Sequence, residues 1–331
     1  MQVWKAGFQA CGSVAIYVKN LQKGNFFRIF VTKTLIVLKN FLITANIMKQ
    51  IASFFVALIM PLLLWAQTPA DTITIFMIGD STMANKPIDM DKQERGWGQM
   101  LPLMLQGAIK VDNHALTGYS GKSFIDNGKW AAVLERMQPG DYLIIQFGHN
   151  DQKQKDPKRY GDVGGIYDDN LRKFINEARA KGGKPILCNS IVRRNFPADV
   201  NAAHEDRDDN PPEGFENLKT TPEGKILVDT HGEYVEAPRR IAREMGVPFI
   251  EMNMLTHNLV QGLGTEKSKE LFMWIPEGKY EFCPQGKIDN THLNIYGGTV
   301  VAGIAARAIA EAVPALRPYI KAEYIVTYPT Y

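Results

Sequence analysis

The sequence predicts an α/β fold: a three-layer sandwich built on a five-stranded parallel sheet with strand order 2-1-3-4-5. Two observations point there. Short apolar runs alternate with segments whose apolar residues recur at helical spacing. That alternation is the mark of a parallel sheet with helices on both faces. The polar, glycine-containing clusters follow directly after apolar runs, which puts them at the carboxyl edge of the sheet, where open α/β folds keep their ligands.

The first strand is the run Thr72–Ser81, which ends in Gly79-Asp80-Ser81-Thr82. Its length and apolar character suit a buried central strand, and the glycine is expected to let the backbone turn sharply. Trp97, Met100, Leu101, Met104 and Leu105 recur as a helical stripe. Ile109–Asn113 is the second strand, and Ala115–Phe124, rich in Gly and Ser, reads as a loop. Trp130, Val133, Leu134 and Met137 mark a helix that ends before Pro139-Gly140. Tyr142–Phe147 is the third strand and stops at Gly148-His149-Asn150-Asp151. Leu171, Phe174, Ile175 and Ala178 mark the next helix, Pro185–Ile191 the fourth strand and Val247–Ile250 the fifth. Ile241 and Met245 lie in a helix stopped by Gly246, and Ser268–Phe272 suggests one more helical turn. Residues 195–235 are polar and too long for a plain connection, so they read as a functional surface excursion. The last helix carries Val300, Val301, Ile304, Ala305 and Ala308.

The N-terminus has a different character. Residues 1–70 contain no Asp or Glu and seven Lys or Arg, so of the formal charge of +3 they hold +7 and the rest holds −4. The globular part is mildly acidic, and the basic balance of the whole chain is no argument for nucleic acid. Met48-Lys49-Gln50, the apolar run Ile51–Trp65 and Ala66 form the short basic, apolar and small-residue parts of a signal peptide. The expected organisation is a doubtful extension at 1–47 preceding the true start, a signal peptide at 48–66, and one catalytic domain at 67–331, exported to the periplasm or medium. The alternative for 1–47 is a membrane anchor. Of the three cysteines, Cys188 and Cys283 fall in the mature chain. They allow a disulfide, but Cys188 sits in an apolar run that suits a buried thiol equally well. No Cys/His spacing suggests zinc.

A serine hydroxyl needs a base to become a nucleophile, usually a histidine oriented by a carboxylate. Ser81 ends the first strand. Asp289 and His292 are three residues apart, a spacing that lets one turn present both. Taken alone, Asp80, Ser81 and Thr82 suit a helix cap equally well. The G-x-S-x-G elbow is absent, because Met83 stands where its second glycine belongs. Acyl transfer also needs donors for an oxyanion. The candidates are the N–H groups of Ser81 and Gly118 and the side-chain amide of Asn150.

Four blocks now stand in order: Gly79-Asp80-Ser81, Gly118, Gly148-His149-Asn150-Asp151, and Asp289 with His292. They resemble the SGNH (GDSL-type) hydrolases. GDSTM, RGWGQ, NHALTGYSGKSF, GDYLIIQFGHND and DNTHLN are similar to the rhamnogalacturonan acetylesterase branch of that superfamily. The resemblance implies a flavodoxin-like sheet, Ser81 as nucleophile, His292 as base, Asp289 as its orienter and an oxyanion hole of Ser81, Gly118 and Asn150. It implies no metal, and no cofactor is expected. The substrate it implies is an acetylated plant polysaccharide, with pectic rhamnogalacturonan first. A lipase or thioesterase and a non-enzymatic carbohydrate-binding module are the competing readings. Tyr119 stands where the branch often has arginine, which bears on substrate preference.

Four further residues are candidates for holding the sugar. Trp97 and Tyr119 offer aromatic faces, although Trp97 also heads an apolar stripe and so suits the core. Arg194, with its neighbour Arg193, and His231 flank the polar excursion and are candidates to line a cleft for an acidic polysaccharide, the alternative being a solvated loop.

Overall fold

The computed structural model describes residues 37–40, 72–199 and 215–326. The chain divides into two units, Met1–Ala70 and Asp71–Tyr331. In the first only a helical turn at 37–40 is described, so the extension and the signal peptide expected there fall outside the described residues.

The second unit is built on five parallel strands in the order 2-1-3-4-5. They are β1 (Ile73–Gly79), β2 (Ile109–Asn113), β3 (Tyr142–Gln146), β4 (Lys184–Cys188) and β5 (Phe249–Ile250). β1 pairs with β2 and β3 in register, Met77 facing Asn113 on one side and Ile144 on the other. Side chains on a strand alternate between faces, and the two cores follow that alternation. Ile75, Met77, Tyr142, Ile144, Ile186 and Cys188 point to one face; Phe76, Ile78, Leu143, Ile145 and Leu187 point to the other.

The first face is covered by α1 (Trp97–Met100), α6 (Met252–Lys267, kinked at Gly264) and α7 (Ile295–Ala312). The second is covered by α2 (Gly121–Asp126), α3 (Lys129–Arg136), α4 (Ile166–Ala180) and α5 (Glu233–Met245). A short helix, α8 (Ala322–Val326), follows near the C-terminus.

Three local readings change. The stripe at 97–105 is a single α-turn passing into a 3₁₀ turn at Leu101–Met104, because Pro102 cannot donate the hydrogen bond a continuing α-helix needs. The Gly/Ser run at 115–124 becomes helical at Gly121. Ser120 caps it by accepting the Ser123 N–H at 3.1 Å, while Ser123 Oγ accepts the Ser120 N–H at 2.9 Å. α6 was not expected. Its sequence mixes buried Met252, Leu259 and Val260 with two glycines, which blurs the helical period. Cys188 is buried, Cys283 half-buried, and both are free thiols.

Gly79 has a different reason from the one its position suggested. Its φ is not in the left-handed region. A Cβ there would lie 2.6 Å from the Gln146 carbonyl oxygen, so glycine is what allows the ends of β1 and β3 to approach. That approach brings the segments after the two strands together at one edge.

Candidate active site

Ser81 sits in the turn directly after β1 and is 7% exposed. Its Oγ lies 2.9 Å from His292 Nε2, and His292 Nδ1 lies 2.8 Å from Asp289 Oδ2. The carboxylate assigns the tautomer: Nδ1 carries the proton and donates it to Asp289, leaving the Nε2 lone pair to accept the serine O–H. His292 remains about a quarter exposed, so a substrate can approach from solvent.

The turn that carries His292 is shaped by Asp289 itself. Asp289 Oδ1 accepts the N–H groups of Thr291 at 2.9 Å and His292 at 2.7 Å. Lys287 Nζ reaches Oδ2 at 2.6 Å. Burial opposes the charge on Asp289, but the His292 hydrogen bond and the cation of Lys287 outweigh it and hold the carboxyl far below the usual range. Beyond Lys287 the charges alternate, with Glu94 3.6 Å from Lys287 and 2.6 Å from Lys86. Burial also opposes the Glu94 charge, and the surrounding cations overcome it and lower its pKa.

The oxyanion side is made by two other loops. Gly118 has φ +80°, and a Cβ there would meet open space, so glycine serves this position by its conformation rather than by its size. Among the described residues neither the Ser81 N–H nor the Gly118 N–H has an acceptor, which leaves both available to an oxyanion. Asn150 Nδ2 donates one hydrogen to the Tyr119 carbonyl at 3.0 Å and keeps a second. Arg159 Nη1 donates to Asn150 Oδ1 at 3.3 Å.

A buried polar chain backs the nucleophile. Trp97 Nε1 donates to Gln146 Oε1 at 2.9 Å, Gln146 Nε2 donates to Thr82 Oγ1 at 2.8 Å, and Thr82 Oγ1 donates to Asp80 Oδ1 at 2.7 Å. Burial raises the Asp80 pKa in spite of the Thr82 bonds. It also raises the pKa of Asp151, which follows Asn150, to about 8. His149 is buried with its Nδ1 3.1 Å from His231 Nε2, and burial followed by the charges of His231 and Arg193 holds its pKa well below the ordinary value.

The structure brings Ser81, Asp289, His292, Gly118 and Asn150 to one edge. It does not bring the expected sugar contacts there. Trp97 is 1% exposed, its indole buried in the core with its N–H used by Gln146. Arg194 is 0% exposed and clamps the base loop from inside, donating to Asn290 Oδ1 at 2.9 Å, Ser268 Oγ at 2.9 Å and Asp199 Oδ2 at 2.6 Å. His231 is buried against His149 and Asp229, and Arg193 is buried beside it. Only Tyr119 of the four candidates is half-exposed, its ring edge-on to Phe124. Lys287, Glu94, Lys86 and Arg159 were missed, as was Gln146. The signal for Gln146 was a lone polar residue inside the apolar run YLIIQF; the others lie in polar stretches without a pattern.

Residues 77–273 match the GDSL-like lipase/acylhydrolase family. The chain is 34% identical over 239 residues to the rhamnogalacturonan acetylesterase RhgT of Bacillus subtilis, a match that covers 72% of this chain and 90% of that one. It is 25% identical to a rhamnogalacturonan acetylesterase of Emericella nidulans, with 71% and 84% of the two chains covered. Among solved structures, the YxiM protein of Bacillus subtilis superposes with a TM-score of 0.54 at 25% identity, covering 74% of this chain and 58% of that one.

Proposed function

The chain belongs to the GDSL-like lipase/acylhydrolase family, and from that premise we propose that it is an acetylesterase of plant cell-wall polysaccharide, acting on pectic rhamnogalacturonan through an acetyl-serine intermediate. The observation that carries the reading is the unbroken chain Ser81–His292–Asp289, at 2.9 and 2.8 Å, at the same sheet edge as Ser81 and Gly118 N–H groups with no acceptor among the described residues and an Asn150 amide that keeps one hydrogen beside its bond to Tyr119.

The chemistry follows from the geometry. Ser81 Oγ attacks the acetyl carbonyl carbon as its proton passes to His292 Nε2. The carbonyl electrons move onto oxygen, where the three donors hold the charge; a donor of this kind is worth about 3–4 kcal/mol in the transition state. The imidazolium is stabilised by Asp289. The bond to the sugar oxygen then breaks, and that oxygen takes the proton from His292 and leaves as the sugar hydroxyl. A water, deprotonated by His292, attacks the acetyl-serine, and acetate leaves with Ser81 restored.

Acetate needs only a small pocket, whereas a fatty acyl chain needs an extended apolar groove. The residues around Ser81 are polar: Lys86 bonded to Thr117 at 2.7 Å, then Tyr119, Asn150 and Arg159. Since Arg193 and Arg194 are buried, and the Lys86 side chain is nearly so against Glu94, the cations beside the site that stay open to an acidic polysaccharide among the described residues are Lys287 and Arg159. Residues 48–66 would direct export and be removed, leaving a mature chain that begins near Gln67. Such a leader supports a periplasmic or secreted enzyme whose partner is its polysaccharide substrate.

Acetate release from acetylated rhamnogalacturonan, xylan and mannan tests the reading, beside acetyl, butyryl and octanoyl esters of p-nitrophenol. Acetyl should be cleaved fastest, and rhamnogalacturonan should be preferred by a margin that shrinks with salt. Faster octanoyl cleavage would discard the carbohydrate reading, and preference for xylan would discard only the pectin. N-terminal sequencing of secreted protein tests the export claim.

A further inference from the structure

An amide can serve an oxyanion only if its NH₂ end faces the ester. Oxygen and nitrogen are nearly the same size, so the surroundings must decide which end that is. We propose that Arg159 is a positioning residue that fixes the Asn150 amide with its donor end toward the ester. This rests on the reading of Asn150 as an oxyanion donor.

The two ends of the amide are held by opposite partners. Asn150 Nδ2 donates to the Tyr119 carbonyl at 3.0 Å, and Asn150 Oδ1 accepts from Arg159 Nη1 at 3.3 Å. Turning the amide by half a rotation would set its oxygen against the Tyr119 carbonyl and its NH₂ against the guanidinium. Two hydrogen bonds would become two repulsions. Arginine is the strong member of this pair, because it cannot accept and stays charged. Its charge also draws electron density toward Oδ1, which makes the remaining N–H of Nδ2 a better donor.

Arg159 is itself held in place. Its Nε donates to Asp156 Oδ2 at 2.5 Å, and its backbone N–H donates to the Asp156 carbonyl at 3.0 Å. Asp156 Oδ1 accepts the Lys158 N–H at 3.0 Å, so one carboxylate shapes the turn and anchors the guanidinium. The loop returns to the site where the Gly161 N–H donates to the Asp151 carbonyl at 3.1 Å. The guanidinium is therefore an anchored part of the site, although about a quarter of the side chain remains exposed.

The test is a double-mutant cycle on p-nitrophenyl acetate, a neutral ester too small to reach a remote charge. Arg159→Met should lower kcat roughly tenfold with KM nearly unchanged, less than the full loss of an oxyanion donor. In the Asn150→Ala background the same change should cost nothing further, because there is no amide to orient. Arg159→Lys should recover part of the loss. Asp156→Asn, which frees the guanidinium without removing it, should lose kcat in the same direction by a smaller factor, and it keeps the proposal testable if Arg159→Met does not fold. Wild-type kcat in Arg159→Met, or an equal loss in the Asn150→Ala background, would overturn the proposal while leaving Asn150 as donor. Full kcat in Asn150→Ala would remove the oxyanion reading and this proposal with it.

Discussion

The two sides of the site treat the same kind of group in opposite ways. On the base side, Asp289 meets donors that include the Thr291 and His292 N–H groups, His292 Nδ1 and Lys287 Nζ. Its carboxyl is held far down and stays charged. On the oxyanion side, Asp151 is just as buried, yet its Oδ1 accepts the Gly121 N–H at 2.9 Å while Oδ2 meets no donor at hydrogen-bond distance among the described residues. Its pKa rises to about 8, with the nearby Asp80 pushing the same way. The difference teaches that the fold spends its donors where negative charge must persist. It leaves Asp151, next to the oxyanion donor Asn150, disposed to stay protonated where a transient negative charge has to form. Two carboxyls of one type are set to different tasks by their surroundings alone.

The largest effect should come from the base side. Ser81→Ala and His292→Ala should each lose at least about three orders of magnitude in kcat, and the double variant little more, because the pair acts as one unit. Steady-state kinetics of the three variants checks this; additive losses would show that the two residues act separately.

Asp289→Asn should follow with a loss of about two to three orders, since an amide cannot hold His292 in the same tautomer and charge. Lys287→Met, which leaves the Thr291 and His292 donors in place, should change kcat less than about fivefold. A larger loss there would mean that the cation does more than help to keep Asp289 ionised.

Asp151 should reveal itself in stability rather than rate. A carboxyl whose folded pKa is raised from 3.8 to about 8 binds its proton more tightly when folded. Its contribution is most favourable below pH 3.8 and is lost as pH climbs toward 8. Asp151→Asn keeps an acceptor for Gly121 but cannot ionise. Its melting temperature should therefore gain on the wild type between pH 5 and 8, by an amount worth on the order of a few kcal/mol. A gap that stays constant with pH would contradict the neutral carboxyl. Asp289 should show the opposite sign, its contribution being lost as pH falls.

A smaller effect is expected behind the nucleophile. Trp97→Phe leaves Gln146 Oε1 without its donor, a loss of about 1–3 kcal/mol, read as a lower melting temperature with KM for sugar substrates unchanged. A raised KM would return Trp97 to the substrate.

Much of this is legible in the sequence itself. The strands and the parallel sheet followed from the alternation of apolar runs with helical stripes, since the strand period and the helix period are local properties, and the order 2-1-3-4-5 from the five-stranded doubly wound arrangement that such a chain adopts. The residues at the site edge followed because a parallel sheet sends every strand's carboxyl end to the same side. What was not legible depends on distance in space. Burial of Arg194 is decided by Asp199, Ser268 and Asn290, which lie up to 96 residues away in sequence and offer a charged side chain a fully bonded interior site. The burial of Trp97 was readable from the apolar stripe it heads, but its bond to Gln146, 49 residues away, was not. Arg159 and Lys287 carry no periodic signal, because one charged residue in a polar loop looks like any other until the loop folds back. α6 hid because its glycines and polar residues interrupt the stripe.

The claim at the centre is that Ser81 carries the acetyl group between sugar and water. Wild-type enzyme mixed with an acetyl ester, quenched in acid during turnover and digested, can be mapped by mass spectrometry. The expected result is one acetyl group per trapped chain, on the peptide that contains Ser81, absent from Ser81→Ala, which also stops releasing acetate. Sustained acetate release by Ser81→Ala, or an acetyl group that maps to a different residue during wild-type turnover, would contradict it.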